Sequence, residues 1–394
     1  MSKLGIEDLD LKGKRVLIRV DFNVPLDGTK ITDDTRIRGA IPTIEYVINN
    51  GGKAILMSHL GRPDGTFVPK YSLKPVAERL KELLGKDVTF APDCIGDEVK
   101  AIISKMKDGD IVLLENLRFH AGEEENDPEF AKQLAELGDL YVNDAFGAAH
   151  RAHASTVGIT KYISKSAAGF LMQKEIKYIK ETIDNPERPF IAIIAGAKVS
   201  DKIGIIENLM KKADAIIIAG AMAYTFLKSM GRKVGKSLVE DDKLDIAREI
   251  LKKSLDERIP LYLPIDHVIA DDFSNDANIK IVMRGIIPNG WEGMDIGPAT
   301  LELFKGVLSE AKTIVWNGPV GVFEFDNFAK GSIGIAKILA ESNATTIVGG
   351  GDCVAALQKS GYADKITHVS TGGGAALELM EGKELPGISA LTDK

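Results

Sequence analysis

Two cysteines in 394 residues leave no material for a disulfide framework. Cys94 and Cys353 lie far apart with no second thiol near either, so no zinc set is indicated, and a reducing cytoplasm is the expected compartment. A basic excess is also missing. Fifty Lys and Arg face 57 Asp and Glu, for a net charge of −7, which argues against a nucleic-acid binder that works through bulk basicity. No stretch approaches the ~18 apolar residues of a membrane helix. The N-terminus carries Glu7, Asp8 and Asp10 where a secretory leader would have an apolar segment. Low-complexity segments are absent. So is a Gly-x-Gly-x-x-Gly after the first strand of either half, which disfavours a dehydrogenase.

What is present is an α/β pattern. Hydrophobic content of 44%, charged content of 27% and 39 glycines describe a globular α/β protein with many turns. The length is more than one core normally supports, so two domains are expected. Apolar runs at 16–20, 54–57, 111–114 and 140–142 alternate with helical text such as 73–84, and a short strand is expected at 88–90. That order means parallel sheets with right-handed crossovers. From Leu171 to Ile183 apolar residues recur at close to helical spacing, stopped by Asp184-Asn185-Pro186. The α/β pattern restarts at Phe190, so the domain boundary is expected on that helix.

Function-bearing residues collect where strands end. In the first half, Val16–Val20 runs into Asp21-Phe22-Asn23, Ala54–Met57 into Ser58-His59-Leu60-Gly61-Arg62, and Ile111–Leu114 into Glu115-Asn116-Leu117-Arg118, with Arg151 beyond the strand at 140–142. Eight of the thirteen arginines fall in the first 151 residues. Arg36 and Arg38 also lie in a segment that reads as a loop. An acidic chain that concentrates arginines near strand ends suggests a local site for a small oxyanion, because the guanidinium fork matches carboxylate and phosphate.

The second half has phosphate-binding turns. Thr345–Val348 enters Gly349-Gly350-Gly351-Asp352, and Ile366–Val369 enters Ser370-Thr371-Gly372-Gly373-Gly374; each turn is followed by a helix former run. Consecutive glycines before a helix leave backbone N–H groups open to an anion. Tight chain reversal explains most isolated Gly pairs, but two triplets at the same point of consecutive units favour the anion reading. Asp352 among such amides would repel phosphate unless a cation such as Mg²⁺ lay between. Lys198 and Lys202 are expected together at the start of a helix, on one face. The small residues Ala219-Gly220-Ala221 could admit a flat ring. Two near-motifs fail. Asp21-Phe22-Asn23 with His150-Arg151-Ala152 has the wrong order for a protein kinase, and Gly231 to Ser237 has three residues, not four, between its glycines for a P-loop.

Taken in order, RVDFNVP (19–25), SHLGRP (58–63), ENLRF (115–119), NDAFGAAHRAHAST (143–156), AGAKVSDKI (195–203), WNGPVGVFE (316–324), GGGD (349–352) and STGGGA (370–375) resemble phosphoglycerate kinase along the whole chain. Small departures lie at Ala195, at Ala219 to Met222 and at Cys353, where the family commonly has other small residues.

The resemblance implies two doubly wound, Rossmann-like parallel-sheet domains joined by an interdomain helix, with the active site in the cleft between them. The expected division is 1–170 for 3-phosphoglycerate, 171–187 as helix and hinge, 188–385 for nucleotide, and 386–394 as a tail returning to the first domain. It implies an ATP:3-phosphoglycerate 1-phosphotransferase, cytoplasmic and monomeric, with MgATP or MgADP and 3-phosphoglycerate or 1,3-bisphosphoglycerate as small-molecule partners and neither nucleic acid nor membrane. Asp21, Asn23, Arg36, His59, Leu60, Gly61, Arg62, Arg118 and Arg151 would bind 3-phosphoglycerate. Lys198, Lys202, Gly220, Ala221, Gly293, Pro319, Glu324, Gly350, Gly351, Asp352, Cys353 and Thr371 would bind nucleotide, with Asp352 on Mg²⁺. Arg38, Lys202, Gly372 and Gly373 would act on the transferring phosphoryl group. A nucleotide sensor without turnover is the competing class, and it would have no use for Arg38 and Lys202 together.

Overall fold

The computed structural model describes residues 2–283 and 286–394. The chain divides into two compact units, Met1–Ile176 with Glu384–Lys394, and Lys177–Lys383. Each is built on a six-stranded sheet whose neighbouring strands all pair in parallel.

In the first unit the strands are β1 (Arg15–Arg19), β2 (Lys53–Met57), β3 (Thr89–Phe90), β4 (Ile111–Leu113), β5 (Leu140–Asn143) and β6 (Ser166–Ala168). They stand in the order β3-β4-β2-β1-β5-β6. Four of the five residues of β1 and of β2 are buried, and all of β4 and β5, as expected for strands covered by helices on both faces. The order reverses between β1 and β5. At such a switch point adjacent crossovers leave on opposite faces and open a crevice at the strands' C-terminal ends. The last segment joins this unit: Thr392 N donates to Ser166 O at 2.9 Å, and Asn143 Nδ2 donates to Gly387 O at 3.2 Å.

In the second unit β7 (Phe190–Ile194), β8 (Ala215–Ile218), β9 (Leu261–Tyr262), β10 (Thr313–Asn317), β11 (Thr345–Gly349) and β12 (His368–Val369) stand in the order β9-β8-β7-β10-β11-β12. Here the reversal lies between β7 and β10. A three-stranded antiparallel sheet, Ile279–Met283, Asp266–Ala270 and Glu292–Ile296, is added to this unit.

Three local expectations are corrected. Arg36 and Arg38 do not lie in a loop; they occupy the first turn of a helix, Thr35–Asn49. Its start is set by Asp33, whose Oδ1 accepts from Thr35 N at 2.8 Å, and Pro42 sits inside the helix. Lys198 and Lys202 do not share a helical face. Gly196, at φ +127°, turns the chain away from β7, and the helix Ile203–Met210 begins only after Lys202, which is its N-cap residue. The segment read as one amphipathic helix is α-helical at Phe170–Glu175, a π-helix at Ile176–Glu181 and a single α turn at Thr182–Asp184.

Candidate active site

At the switch point of the first sheet the polar strand ends are tied to one another before any ligand arrives. Arg36 Nη1 donates to both oxygens of Asp21 at 3.0 Å and to Asn23 O at 3.2 Å. Asn23 Oδ1 accepts from Gly61 N at 2.9 Å. Gly61 has to be glycine: its φ is +63°, and a Cβ would fall 2.3 Å from the Tyr71 ring. Asn116 fastens the next loop, with Nδ2 donating to Leu60 O and Tyr71 O while Oδ1 accepts from Leu60 N and Arg118 N. These bonds hold Arg118, which is 5% exposed. Its Nη1 donates to Gly61 O at 2.9 Å and its Nη2 faces Glu124 at 3.3 Å. The Nε of Arg118 is buried and has no partner among the described residues.

Beneath this surface lies a network that sequence reasoning missed. Arg19 is fully buried. It donates from Nε to Ser155 Oγ at 2.8 Å and from Nη1 to Val20 O, and its Nη2 lies 3.1 Å from His59 Nδ1. A guanidinium can only donate, so His59 Nδ1 accepts and the imidazole proton sits on Nε2. Burial, then Arg19 and Arg118, hold the His59 pKa well below the usual imidazole range, so His59 is a neutral donor. His153 is pushed down to about 4 by burial and then the same two arginines. Glu123, fully buried, accepts from Ser155 N at 2.9 Å and from Ser155 Oγ at 2.6 Å, and lies 3.8 Å from Arg19 Nη2. Burial raises its pKa, against the pull of Arg19 and Ser155. Arg19 stands in a strand and Glu123 in an acidic run, and neither position signals burial.

The remaining expected residues of this half are placed less tightly. Arg62 is exposed. Arg151 Nε donates to His150 Nε2 at 3.2 Å. Arg38, two residues on from Arg36, leaves the helix in another direction: its Nε donates to Asp34 Oδ1 at 2.8 Å, and Arg79 holds the other oxygen of Asp34 at 2.7 Å. Both arginines line an open groove of about 590 Å³. Arg36 and Arg38 are thus brought to different partners.

In the second unit the switch point is held by Asn317 at the end of β10. Its Oδ1 accepts from Lys202 Nζ at 2.5 Å and its Nδ2 donates to Gly349 O at 2.7 Å. Burial lowers the Lys202 pKa, against Cys353, Asp201 and Asp352. Lys198 is exposed in the loop before it. Three glycine turns pack backbone against backbone around this point. A Cβ on Gly220 would meet Gly196 N and O at 2.6 Å, and one on Gly318 would meet Ala195 O at 2.0 Å. The close approach opens a cavity of about 430 Å³ that gathers Gly220, Ala221, Gly293, Pro319, Glu324 and Asp352. Tyr224, not anticipated from sequence, also lines it, and Gly293 is the only residue that leaves room for its hydroxyl.

The glycine triplets behave as turn and cap. Gly350, at φ +96°, caps the helix Gly351–Ser360, and Asp352 is exposed in its first turn. The Cys353 side chain faces the core, with Sγ 3.7 Å from Trp316 O, and burial drives its pKa up; only its backbone is turned to the helix start. Gly373 caps a helix of two turns, Gly374–Met380. Gly372 N already donates to Ser370 Oγ at 3.1 Å. Carboxylates on the wall of a cavity whose remaining lining is largely apolar, Glu324 and Asp352 among them, flanked by glycine amides, can take a flat ring with a phosphate chain and its cation. The first site, rich in cationic and neutral donors, can take a small anion.

The chain is similar to known proteins along its whole length. The family model described as phosphoglycerate kinase matches residues 6–383. The phosphoglycerate kinase of Koribacter versatilis (strain Ellin345) is 59% identical over 403 residues, covering 100% of each chain. That of Chloroherpeton thalassium (strain ATCC 35110 / GB-78) is 56% identical over 396 residues, again covering 100% of each. The solved structure of phosphoglycerate kinase from Coxiella burnetii superposes with a TM-score of 0.92 at 41% identity, covering 99% of this chain and 98% of that one. Sequence and fold therefore agree that the chain belongs to the phosphoglycerate kinase family and is an enzyme.

Proposed function

We propose that the chain catalyses reversible phosphoryl transfer between 1,3-bisphosphoglycerate and ADP, giving 3-phosphoglycerate and ATP, by direct in-line transfer in glycolysis. The observation that carries this reading is the buried Arg118 Nε with no partner among the described residues, set beside a neutral His59 near the switch point of the first sheet. Such a donor is costly to bury without an acceptor, and a ligand anion supplies one.

In this reading 3-phosphoglycerate lies on the first unit, on residues 1–170, held by Asp21, Asn23, Arg36, His59, Arg62, Arg118 and Arg151. Nucleotide lies in the cavity of the second, on residues 188–385. The nucleophile is the 3-phosphoglycerate carboxylate, ionised at pH 7, so no general base is required. Catalysis reduces to alignment and to spreading charge over the moving group. Lys202 supplies a cation, and Arg38 a second once it exchanges Asp34 for the phosphoryl oxygens. The amide of Gly373 supplies a donor, and that of Gly372 a second once it leaves Ser370 Oγ. Asp352, an exposed hard carboxylate on the cavity wall, would hold Mg²⁺. When bound, that ion neutralises phosphate charge.

Reacting atoms must come within ~3.5 Å, and a hinge between the two ligand-bearing units would set that approach. Closure about residues 171–187 fits this need, and the π-helix there supports it, because π turns inside helices recur at functional positions. The enzyme acts as a cytoplasmic monomer. An assay with ATP, 3-phosphoglycerate and Mg²⁺, coupled to detection of 1,3-bisphosphoglycerate, tests the reading. Turnover that needs all three supports it; binding of both substrates without turnover would replace it with the sensor.

A further inference from the structure

The outer edge of the first sheet carries a cluster that the proposed reaction does not use. Asp93 and Cys94 lie in the loop after β3, and His120 lies just past the short 3₁₀ turn that follows β4. Because β3 and β4 are neighbours in the sheet, the two loops meet. The carboxylate, thiol and imidazole donor atoms all lie within 4.8 Å of one another. Asp93 Oδ1 accepts from Cys94 N at 2.6 Å and lies 2.7 Å from His120 Nε2. The His120 ring is stacked on Phe130 at 5.3 Å with an interplanar angle of 29°, which fixes its direction. Cys94 is fully buried, while Asp93 and His120 are partly exposed, so the cluster has a closed floor and an open mouth.

We propose that Asp93, Cys94 and His120 form a binding site for a thiophilic divalent cation of the Zn²⁺ class, with the fourth coordination position open toward solvent. The donor set decides the class. One sulfur, one nitrogen and one oxygen suit a borderline-soft ion, whereas Mg²⁺ and Ca²⁺ take oxygen alone. Bonds of about 2.0–2.3 Å place tetrahedral ligands roughly 3.3–3.8 Å apart, so donors already within 4.8 Å need only small rotamer changes. The hydrogen bonds that now link the trio are replaced by metal bonds. The thiol proton leaves to solvent, the imidazole keeps its N–H on Nδ1, and the dication is held by thiolate, neutral imidazole and carboxylate. Sequence spacing gave no hint of this, because the pattern that marks zinc sites is two or more close thiols, and here one thiol and its adjacent carboxylate meet a histidine from the loop after the neighbouring strand.

The test uses the full chain, stripped with a chelator and titrated with Co²⁺ as a spectroscopic probe. The expected result is one equivalent bound, with a sulfur-to-cobalt charge-transfer band and four-coordinate d–d bands, displaced by Zn²⁺ and unaffected by excess Mg²⁺. Cys94→Ser should abolish the charge-transfer band and weaken Zn²⁺ binding at least tenfold by calorimetry, while Cys353→Ser leaves the band in place. If Cys94→Ser does not fold, judged by circular dichroism, His120→Ala at the partly exposed ring carries the same expectation of tenfold weaker Zn²⁺ binding. A wild-type chain that shows no charge-transfer band, a band that survives loss of Cys94, unchanged Zn²⁺ affinity in His120→Ala, or Mg²⁺ displacing the probe would each overturn the proposal.

Discussion

Replacing Arg19 by Met tests whether the buried network beneath the anion site is a single electrostatic unit. The substitution roughly keeps the side chain's length and removes its charge. It leaves Ser155, Val20 and His59 without their donor and Glu123 without the guanidinium 3.8 Å away. Breaking one partner of a buried pair costs about 3–5 kcal/mol, a large share of the ~5–15 kcal/mol that holds a typical domain together. For a domain of this size that is a fall in Tm of about 6–20 °C. The pH dependence gives a sharper signature. Burial already holds Glu123 above the usual carboxylate range, and Arg19 is the largest influence pulling it back. Without Arg19 the folded pKa rises further. A carboxyl whose folded pKa exceeds its unfolded value is stabilising while protonated, and that contribution is lost as pH rises through the folded pKa. The deficit of the variant should therefore be largest at neutral and alkaline pH, and shrink as pH falls toward the unfolded value of about 4.3. His59 and His153, both depressed in part by Arg19, shift the deficit the same way. Calorimetric melts of both proteins across this range, with 3-phosphoglycerate affinity measured alongside, give the result. A deficit that stays constant with pH, or a loss below about 1 kcal/mol, would refute the coupling of Arg19 to Glu123.

Arg38→Ala should lower kcat by a factor on the order of 10³ with little change in 3-phosphoglycerate affinity; equal losses in steady-state kcat and in calorimetric affinity would remove Arg38 from the transition state. Asp352→Ala should weaken MgADP binding far more than binding of ADP in excess chelator, and an equal loss in both titrations would contradict its cation role. Gly220→Ala places a Cβ 2.6 Å from the Gly196 backbone at φ +70°, so the second unit should lose about 1–3 kcal/mol and nucleotide affinity together; a variant with wild-type melting and ADP binding would show that the turns can relax. Small-angle scattering should give the smallest radius of gyration in the ternary complex, whereas one value across apo, binary and ternary states would rule out closure.

Strand ends could be recognised from sequence because a parallel strand buried on both faces is a continuous apolar run, and the first polar residue after it marks the sheet's C-terminal edge. Asp21, His59, Arg118 and Gly350 all follow such runs; Asp21, His59 and Gly350 do so on strands at or beside the two switch points, and Arg118 on the next strand out. Direction within a loop was not recoverable in the same way. Arg36 and Arg38 differ by two residues, a separation that puts side chains far apart around a helix, and Asp33 and Asp34 carry the helix-start signal.

The deeper gap concerns charges that the fold buries. Arg19 interrupts an apolar strand as a surface residue would, and Glu123 sits in the run Glu123-Glu124-Glu125 that looks solvated. Only the parallel packing of β1 beside β5, with Ser155 reaching back to both residues, converts them into partners. That placement explains why the charge is there at all. A neutral His59 with its proton on Nε2 needs a permanent donor at Nδ1, a lysine or histidine there could lose its proton, and a permanent cation in the core needs a carboxylate within reach. The proposed anion site thus rests on Arg19, Glu123 and Ser155, all fully buried, and it is these residues that one-dimensional spacing leaves unreadable.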